Sequence, residues 1–484
     1  MNKDILLPVY HSDKVRPGCA FFAVRGTQQD GNKFIEEALE KGAVMIVAEN
    51  PDEKTAGAAE KAGARLVIVP DARKALAEAS CEFFGRPSEK LFTVGITGTK
   101  GKTTTAFMVR EILEEAGIRT GLIGTVISGH EGAWTESIST TPQSFEIQKM
   151  MREMADDGCR ACVMEVSSQG LMQRRVHGIL FDAAVFTNIS PDHIGKNEHK
   201  NFQEYLYWKS QLFKQAKVAI INKDDSFWKY IADESTAREI RTFGTEKVCC
   251  GPVTYVARDI QLCSGPESTS GLAAEYILDN RKIRLNMPGK FNISNSLGAV
   301  AAAECIGISR KTAADALAKV KVRGRTEPVD VGRDFTVFVD YAHNGTALEN
   351  LLKELREYRP QRIITVFGCG GGRDRNRRAE MGRTAAVFAD FSIITSDNPR
   401  DEDPMEIIED ITNDMTLAGG LFRVIPDRQQ AIWAALEMAS EGDIVVIAGK
   451  GHETYQITGK EKRHFDDREV ILRWAASCRG QDNA

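Results

Sequence analysis

Long apolar runs are missing from this 484-residue sequence. None approaches the roughly 20 residues that a bilayer-spanning helix needs. The opening stretch MNKDILLPVYHSDK has no apolar signal core, so neither membrane insertion nor export is expected. Charge of one sign is also scarce: 63 Lys and Arg against 68 Asp and Glu leave a net −5. That balance gives no general attraction to nucleic acid, and any anionic ligand must be held by local Arg and Lys. Cysteine is thin, at ten residues. Without a secretory signal these read as free thiols in a reducing cytoplasm. Cys159-x-x-Cys162 lacks a second pair at zinc spacing and reads as the entry to a buried strand, and Cys249-Cys250 reads as loop. Short-period repeats and low-complexity segments are absent too. What remains, 42% hydrophobic and 27% charged residues, describes a globular protein long enough for about three domains.

The most informative stretch is Leu91 to Ala116. It reads as a buried strand to Thr97, a loop Gly98-Thr99-Lys100-Gly101, and a helix whose apolar face is Ala106, Val109, Leu113 and Ala116, stopped by Gly117. A Gly-pinned turn from a strand into a helix beginning Lys102-Thr103-Thr104 is a phosphate cradle. The first-turn N–H groups of a helix have no intrahelical acceptor, the helix dipole favours an anion, Lys102 adds a cation, and Thr103 adds a hydroxyl for Mg²⁺. The loop is shorter than the common Walker pattern, which has Gly where Ile96 stands.

Three α/β domains are expected. Residues 1–88 form a small N-terminal α/β domain, with strand-like runs at 20–24, 43–48 and 65–69, a helix at 72–84, and Gly85-Arg86-Pro87-Ser88 as linker. Residues 89–322 form a central P-loop domain with a mainly parallel sheet (120–127, 161–166, 183–186, 218–221), a hairpin turning at Asp279-Asn280, and helices at 294–306 and 311–320. Residues 323–484 form a C-terminal Rossmann-like domain with strands at 335–341, 362–367, 391–395 and 443–448.

Several strand ends carry chemistry-bearing groups. Glu165 closes the strand CVMEV, where a carboxylate beside a phosphate loop is placed to hold Mg²⁺. Asp192-His193 follow another strand in the same position, and Thr140-Thr141-Pro142 reads as a helix start with Pro142 as its first residue. Lys209 lies in the helical stretch 203–215, where composition alone leads one to expect a surface lysine. Gly26 to Gly31 reads as a solvated polar turn. In the third domain, Arg325 is a candidate phosphate clamp and Asp340 a ribose binder. Gly368 to Arg373 allows close backbone approach, and Lys450-Gly451-His452-Glu453 ends a strand before the C-terminal helix. Asp397-Asn398-Pro399-Arg400 offers an acceptor, an amide and a bidentate cation, a set suited to an amino acid's ammonium and carboxylate.

In order, the segments GTKGKTT, STTP, MEVSSQGLMQRRV, TNISPDH, YWKSQLF, GKFNISNSLGA, GRTEPV, DYAH, FGCGGGRDR, TSDNPRDEDP and AGKGHETYQ resemble the Mur ligase family over nearly the whole chain. TSDNPR with GKGHE resembles the branch that adds a diamino acid as the third residue of the cell-wall peptide precursor. The resemblance implies a cytoplasmic, ATP-driven amide ligase that joins a diamino acid, meso-2,6-diaminopimelate first and L-lysine or ornithine next, to a UDP-N-acetylmuramoyl dipeptide through an acyl phosphate. It implies that ATP is held by Gly98, Thr99, Lys100, Gly101, Lys102, Thr103 and Thr104, with Asn292 on adenine, Asp340 on ribose and Arg325 on phosphate. Thr103, Glu165, His193 and Lys209 would serve Mg²⁺, Lys209 as a CO₂-derived carbamate. With Lys102 on the phosphates, Lys209, His193 and Glu165 form the implied catalytic set. Tyr10, Ser12, Thr27, Gln28 and Gln29 would hold the UDP part, and Thr140, Thr141, Ser167, Gln173 and Arg175 the muramyl dipeptide. Arg373, Asp397, Asn398, Pro399, Arg400, Gly449 and Glu453 would hold the diamino acid.

The sequence departs from the family pattern at Lys100, where Asn is usual, and at Gly372, where Asp is usual. Two other readings stay open. A P-loop regulatory ATPase has no need of the Asp397–Arg400 region, and a folylpolyglutamate-type ligase has no need of residues 1–88 or of the GKGHE end. Oligomeric state is not legible.

Overall fold

The computed structural model describes all residues except 1–5, 27–28, 138, 193, 196–197, 246–252, 265–270 and 483–484. Thr27, Gln28, His193 and Cys249-Cys250 therefore lie outside the described residues. The chain divides into two compact units, one made of Met1–Val256 with Ser294–Ala313, the other of Ala257–Ile293 with Ala314–Ala484.

In the first unit a four-stranded, all-parallel sheet runs Pro8–Val9, Ala20–Ala23, Met45–Ala48, Arg65–Ile68. A helix that the sequence reading missed, Glu53–Lys61, connects the last two and is capped by Asp52. The helix Ala72–Phe83 covers the sheet and packs against the helix Ser144–Asp156. The 85–88 segment, expected as a linker, is a packed turn: Pro87 and Ser88 are buried, and Phe84 meets Phe145 edge-on at 5.1 Å.

The larger sheet of this unit has six parallel strands in the order Glu239–Thr245, Ala216–Asn222, Phe181–Phe186, Phe92–Thr97, Ala161–Glu165, Thr120–Ile123. The central strands are buried on both faces, as parallel strands covered by helices must be, and their sequences are accordingly continuous apolar runs. The single strand expected at 120–127 breaks at Gly124, and Ile127–Gly129 turns back antiparallel on Thr120–Ile123. A side chain at Gly124 would collide with Glu165 Oε1, so the position requires glycine.

The second unit holds the parallel strands Thr336–Asp340, Ile444–Ala448, Ile363–Phe367, Phe391–Ile394 and Phe422–Val424, in that spatial order, with Glu327–Pro328 antiparallel at one edge. The expected hairpin joins Leu272–Leu278 to Arg281–Leu285, with both turn residues, Asp279 and Asn280, at positive φ. A further hairpin, Tyr455–Thr458 with Glu461–His464, stands where the sequence suggested a direct run into the C-terminal helix.

Candidate active site

The strand Phe92–Thr97 ends in a loop that only glycine can make. Gly98 (φ 155°) would place an added Cβ 1.9 Å from Thr187 Oγ1, and Gly101 (φ 82°) would place one 2.3 Å from Asn295 Oδ1. Gly101 caps the helix Lys102–Glu115, so the first-turn N–H groups are directed into the loop. Asn188 braces the loop: its carbonyl accepts from Thr99 N (2.8 Å), and its side-chain oxygen accepts from Lys100 N (3.0 Å). Thr99 Oγ1 is turned inward, 3.0 Å from the Tyr205 hydroxyl. Thr104 is buried. Lys102 Nζ donates to the carbonyls of Gly98 (2.8 Å) and Thr99 (3.1 Å).

Glu165, almost wholly buried, accepts from Thr103 Oγ1 (2.8 Å), Thr125 N (2.7 Å) and Thr125 Oγ1 (3.1 Å). The hydroxyl and carboxylate nominated for Mg²⁺ are thus in direct contact, at the mouth of the phosphate cradle. A hard cation prefers oxygen donors of this kind. Among the described residues no three His, Cys, Asp or Glu side chains converge as a ready-made metal cage. Thr125, Asn188 and Tyr205 were not singled out from sequence. Each sits on a loop or helix whose partner is far along the chain.

Lys209 is not a surface residue. It is 1% exposed, its Nζ donates to Gly98 O (2.7 Å), and it lies over the Tyr205 ring at 4.6 Å. Tyr205 and Lys209 are one turn apart on the buried face of the helix Phe202–Ser210. Burial first, and the charge of Lys102 second, hold the Lys209 amine well below the usual lysine range.

The helix expected at Thr140-Thr141-Pro142 begins instead at Ser144, with Gln143 as its cap. Thr141 is diverted into the site, where its Oγ1 donates to Glu165 O (2.9 Å) and accepts from Ser167 N (3.0 Å). Arg175 donates to Thr141 O and to Gln173 Oε1, and Thr140 Oγ1 lies 3.1 Å from Thr125 Oγ1. Next to these groups is a cleft of about 470 Å³ lined by Tyr10, Ser12, Gln29 and Gln173, and also by Arg73, which the sequence reading did not nominate. The Tyr10 hydroxyl donates to Glu146 (2.8 Å), and burial with the Glu146 charge raises its pKa. Burial, then the charge of Arg73, lowers that of Arg175.

In the second unit Asn292 is fully buried and donates to Pro288 O at 2.7 Å. The Arg325 guanidinium lies 4.8 Å over the Tyr341 ring. Asp340 accepts from Thr326 N (2.6 Å); burial raises its pKa, with Arg325 pulling the other way. An open cleft is lined by Arg373, Asp397, Asn398, Arg400, Gly449 and Glu453. Pro399 is buried in the same segment. The missed hairpin clasps this segment: Gln456 Nε2 donates to Asp397 O (2.8 Å), Arg400 N donates to Ile457 O (3.1 Å), and Gly459 N donates to Arg400 O (2.6 Å). Its signal was the two-residue Gly459-Lys460 loop between YQIT and EKRH.

His452 is packed against Tyr341 (ring centroids 4.9 Å), and burial with the charges of Arg325 and Arg323 pushes its pKa down to about 4. A depressed His pKa means the unfolded chain takes the proton first. Stability from this residue is therefore complete above about pH 6.5 and is lost as pH falls toward 4. We expect His452 to cost about 2 kcal/mol of stability between pH 7 and pH 5. Urea midpoints at the two pH values should show a smaller difference in His452→Gln than in the wild type.

A glycine-built phosphate loop at the end of a parallel sheet, with a hydroxyl–carboxylate pair beside it, defines a P-loop enzyme of α/β fold. The comparisons narrow the class. The Mur ligase family, catalytic domain matches residues 9–84, the Mur ligase middle domain 96–303, and the Mur ligase, glutamate ligase domain 324–451. The chain belongs to the Mur ligase family, whose members are ATP- and Mg²⁺-using, ADP-forming amide ligases. A UDP-N-acetylmuramoyl-L-alanyl-D-glutamate–2,6-diaminopimelate ligase of Caldanaerobacter subterraneus subsp. tengcongensis is 40% identical over 474 residues, covering 97% of this chain and 94% of the relative. One of the same name from Clostridium botulinum is 41% identical over 475 residues, covering 97% and 95%. A solved structure bearing that ligase name superposes with a TM-score of 0.70 at 29% identity, covering 98% of this chain and 95% of the other. Folylpolyglutamate synthase of Mycobacterium tuberculosis shares the fold, with a TM-score of 0.61 at 17% identity over 83% and 94% of the two chains. No helix among the described residues is long and apolar enough to cross a membrane.

Proposed function

We propose that this enzyme joins meso-2,6-diaminopimelate to UDP-N-acetylmuramoyl-L-alanyl-D-glutamate, forming an amide at the expense of ATP. The observation that carries the reading is the second-unit cleft, whose lining combines the cations Arg373 and Arg400 with the carboxylates Asp397 and Glu453, a set suited to a zwitterion. The names of the relatives support the same acceptor and the same nucleotide dipeptide. The family matches support three functional domains cut near residues 88 and 322.

In this reading an oxygen of the dipeptide carboxylate attacks the γ-phosphorus, the bond to ADP breaks, and an acyl phosphate results. The acceptor amine then attacks the acyl carbon, phosphate leaves with the C–O electron pair, and the amine loses a proton. Such chemistry is mostly positioning and charge neutralisation. The residues present fit that demand. The loop from Gly98 to Thr104 and Lys102 would cradle the phosphates, Arg325 would add a cation, Asp340 would take ribose, and Asn292 would lie along the adenine. Tyr10, Ser12 and Gln29, with Thr27 and Gln28, would take the UDP part. Thr140, Thr141, Ser167, Gln173 and Arg175 would orient the dipeptide. Mg²⁺ would be held by Thr103 and Glu165, with His193 and a carbamylated Lys209 nearby, and supplies charge neutralisation of the transferring phosphoryl group. Burial lowers the pKa of the Lys209 amine and so favours its neutral form. That form carries the lone pair that attacks CO₂, forming N–C and releasing one proton. The free thiols of the described cysteines fit a cytoplasmic setting.

Phosphate release from ATP should require both the nucleotide dipeptide and the amine acceptor. A coupled phosphate assay with each substrate omitted tests this, and equal hydrolysis with neither present would support the regulatory ATPase instead.

A further inference from the structure

Lys450 is 0% exposed, an expensive place for a lysine unless its charge is used. Its Nζ donates to Asn398 Oδ1 (3.2 Å) and to Glu453 Oε2 (3.3 Å), and the Tyr455 ring lies 5.5 Å away. Asn398 Nδ2 donates to the same Glu453 oxygen at 2.8 Å, and Ile457 N donates to Asn398 Oδ1 at 3.0 Å. Asn398 Oδ1 thus already serves two donors, and one of its amide hydrogens is committed to Glu453. Both bonds to Glu453 fall on Oε2. Its Oε1 is left for the cleft that Glu453 lines.

We propose that Lys450 is a positioning residue for the acceptor amino acid: through Asn398 and Glu453 Oε2 it fixes the carboxylate so that Oε1 receives an ammonium of the acceptor. This deepens the functional reading above and rests on it. Asn398 becomes a strut between Lys450, Glu453 and the hairpin, rather than chiefly a ligand of the substrate. The lysine also fixes which way the Asn398 amide faces, because an ammonium has only donors and must meet the oxygen. Ile457 N, a donor too, imposes the same orientation from the hairpin side.

The test is a cycle of Lys450→Met, Glu453→Gln and the double variant, with steady-state constants for all three substrates. The acceptor used is whichever α-amino acid the wild type joins in a product assay. An error in acceptor identity then shows in the wild type, and an error about Lys450 only in the variants. Lys450→Met should raise the acceptor KM by about 10- to 100-fold and leave the KM of ATP and of the nucleotide dipeptide within about twofold. In the Glu453→Gln background the same change should add less than about threefold, because the group it acts through is already lost. If Lys450→Met fails to fold with the Glu453 carboxylate deprived of its cation, the double variant removes both charges and still reads the effect. An unchanged acceptor KM, a parallel rise for all three substrates, or a double variant ten times worse than Glu453→Gln each overturns the proposal.

Discussion

Lys209→Ala should abolish ligation, lowering kcat by about a thousandfold or more while the fold persists. The expectation follows from where the amine sits. Lys209 Nζ and Lys102 Nζ both donate to the carbonyl of Gly98, at 2.7 and 2.8 Å, which brings two lysine nitrogens within two hydrogen-bond lengths of each other. Two ammonium ions so close, one of them fully buried, repel in a region that water does not screen. Burial and that repulsion both favour loss of the proton from the buried one. A carbamate on it would replace that repulsion with attraction to Lys102 and put an anion beside the glycine loop. The same geometry predicts the pattern of rescue. Short carboxylic acids should enter the space left in Lys209→Ala and restore part of kcat. Lys209→Arg, which keeps a cation and cannot form the carbamate, should stay inactive. Scrubbing CO₂ should slow the wild type and leave the variants unchanged. Full activity in Lys209→Ala would end the carbamate assignment.

The phosphate loop is legible in the sequence because its chemistry is local. Gly98 and Gly101 are demanded by backbone angles and by neighbours that a Cβ would strike, so their spacing itself carries the message. The Asp279-Asn280 turn is legible for the same reason. Strand-end carboxylates such as Glu165 can be nominated because a parallel sheet collects its functional groups at one edge. Lys209 cannot be placed from its neighbours in the sequence. Its helix is short, and what buries it is Gly98, more than a hundred residues earlier. Thr125 and Asn188 escape notice alike, since each acts through a partner on another strand's loop. The Tyr455–His464 hairpin escapes because its strands are only four residues each, half-buried to exposed, and the second, EKRH, has no apolar residue to announce it. It exists to pair with the Asp397–Arg400 segment, and that is a tertiary fact.

Meso-diaminopimelate should be joined with a higher kcat/KM than L-lysine, and Arg400→Ala should erase most of that preference. The two acceptors share an α-amino acid end and a distal amine, and only diaminopimelate carries the second carboxylate. Arg400 has the position to read it. Its backbone is held at φ 54°, a left-handed conformation that costs a non-glycine residue about 1 kcal/mol or more. The hairpin bonds from Ile457 and Gly459 fix that conformation, and the guanidinium is directed to Gly371 O beside the cleft. Arg373 and Arg377 line the same cleft. A lysine ammonium brought among these guanidinium groups meets like charge, and an arginine deprived of its carboxylate loses a bidentate pair. Leaving such a group unpaired costs about 1–3 kcal/mol, or roughly ten- to hundredfold in kcat/KM. Arg400→Ala should therefore lower kcat/KM for diaminopimelate by about a hundredfold, change that for L-lysine by less than about threefold, and leave the KM for ATP unaltered. Competition between the two acceptors, read by mass spectrometry of the products, measures the preference directly. A wild-type enzyme that favours L-lysine would overturn the acceptor assignment and leave the ligase chemistry in place.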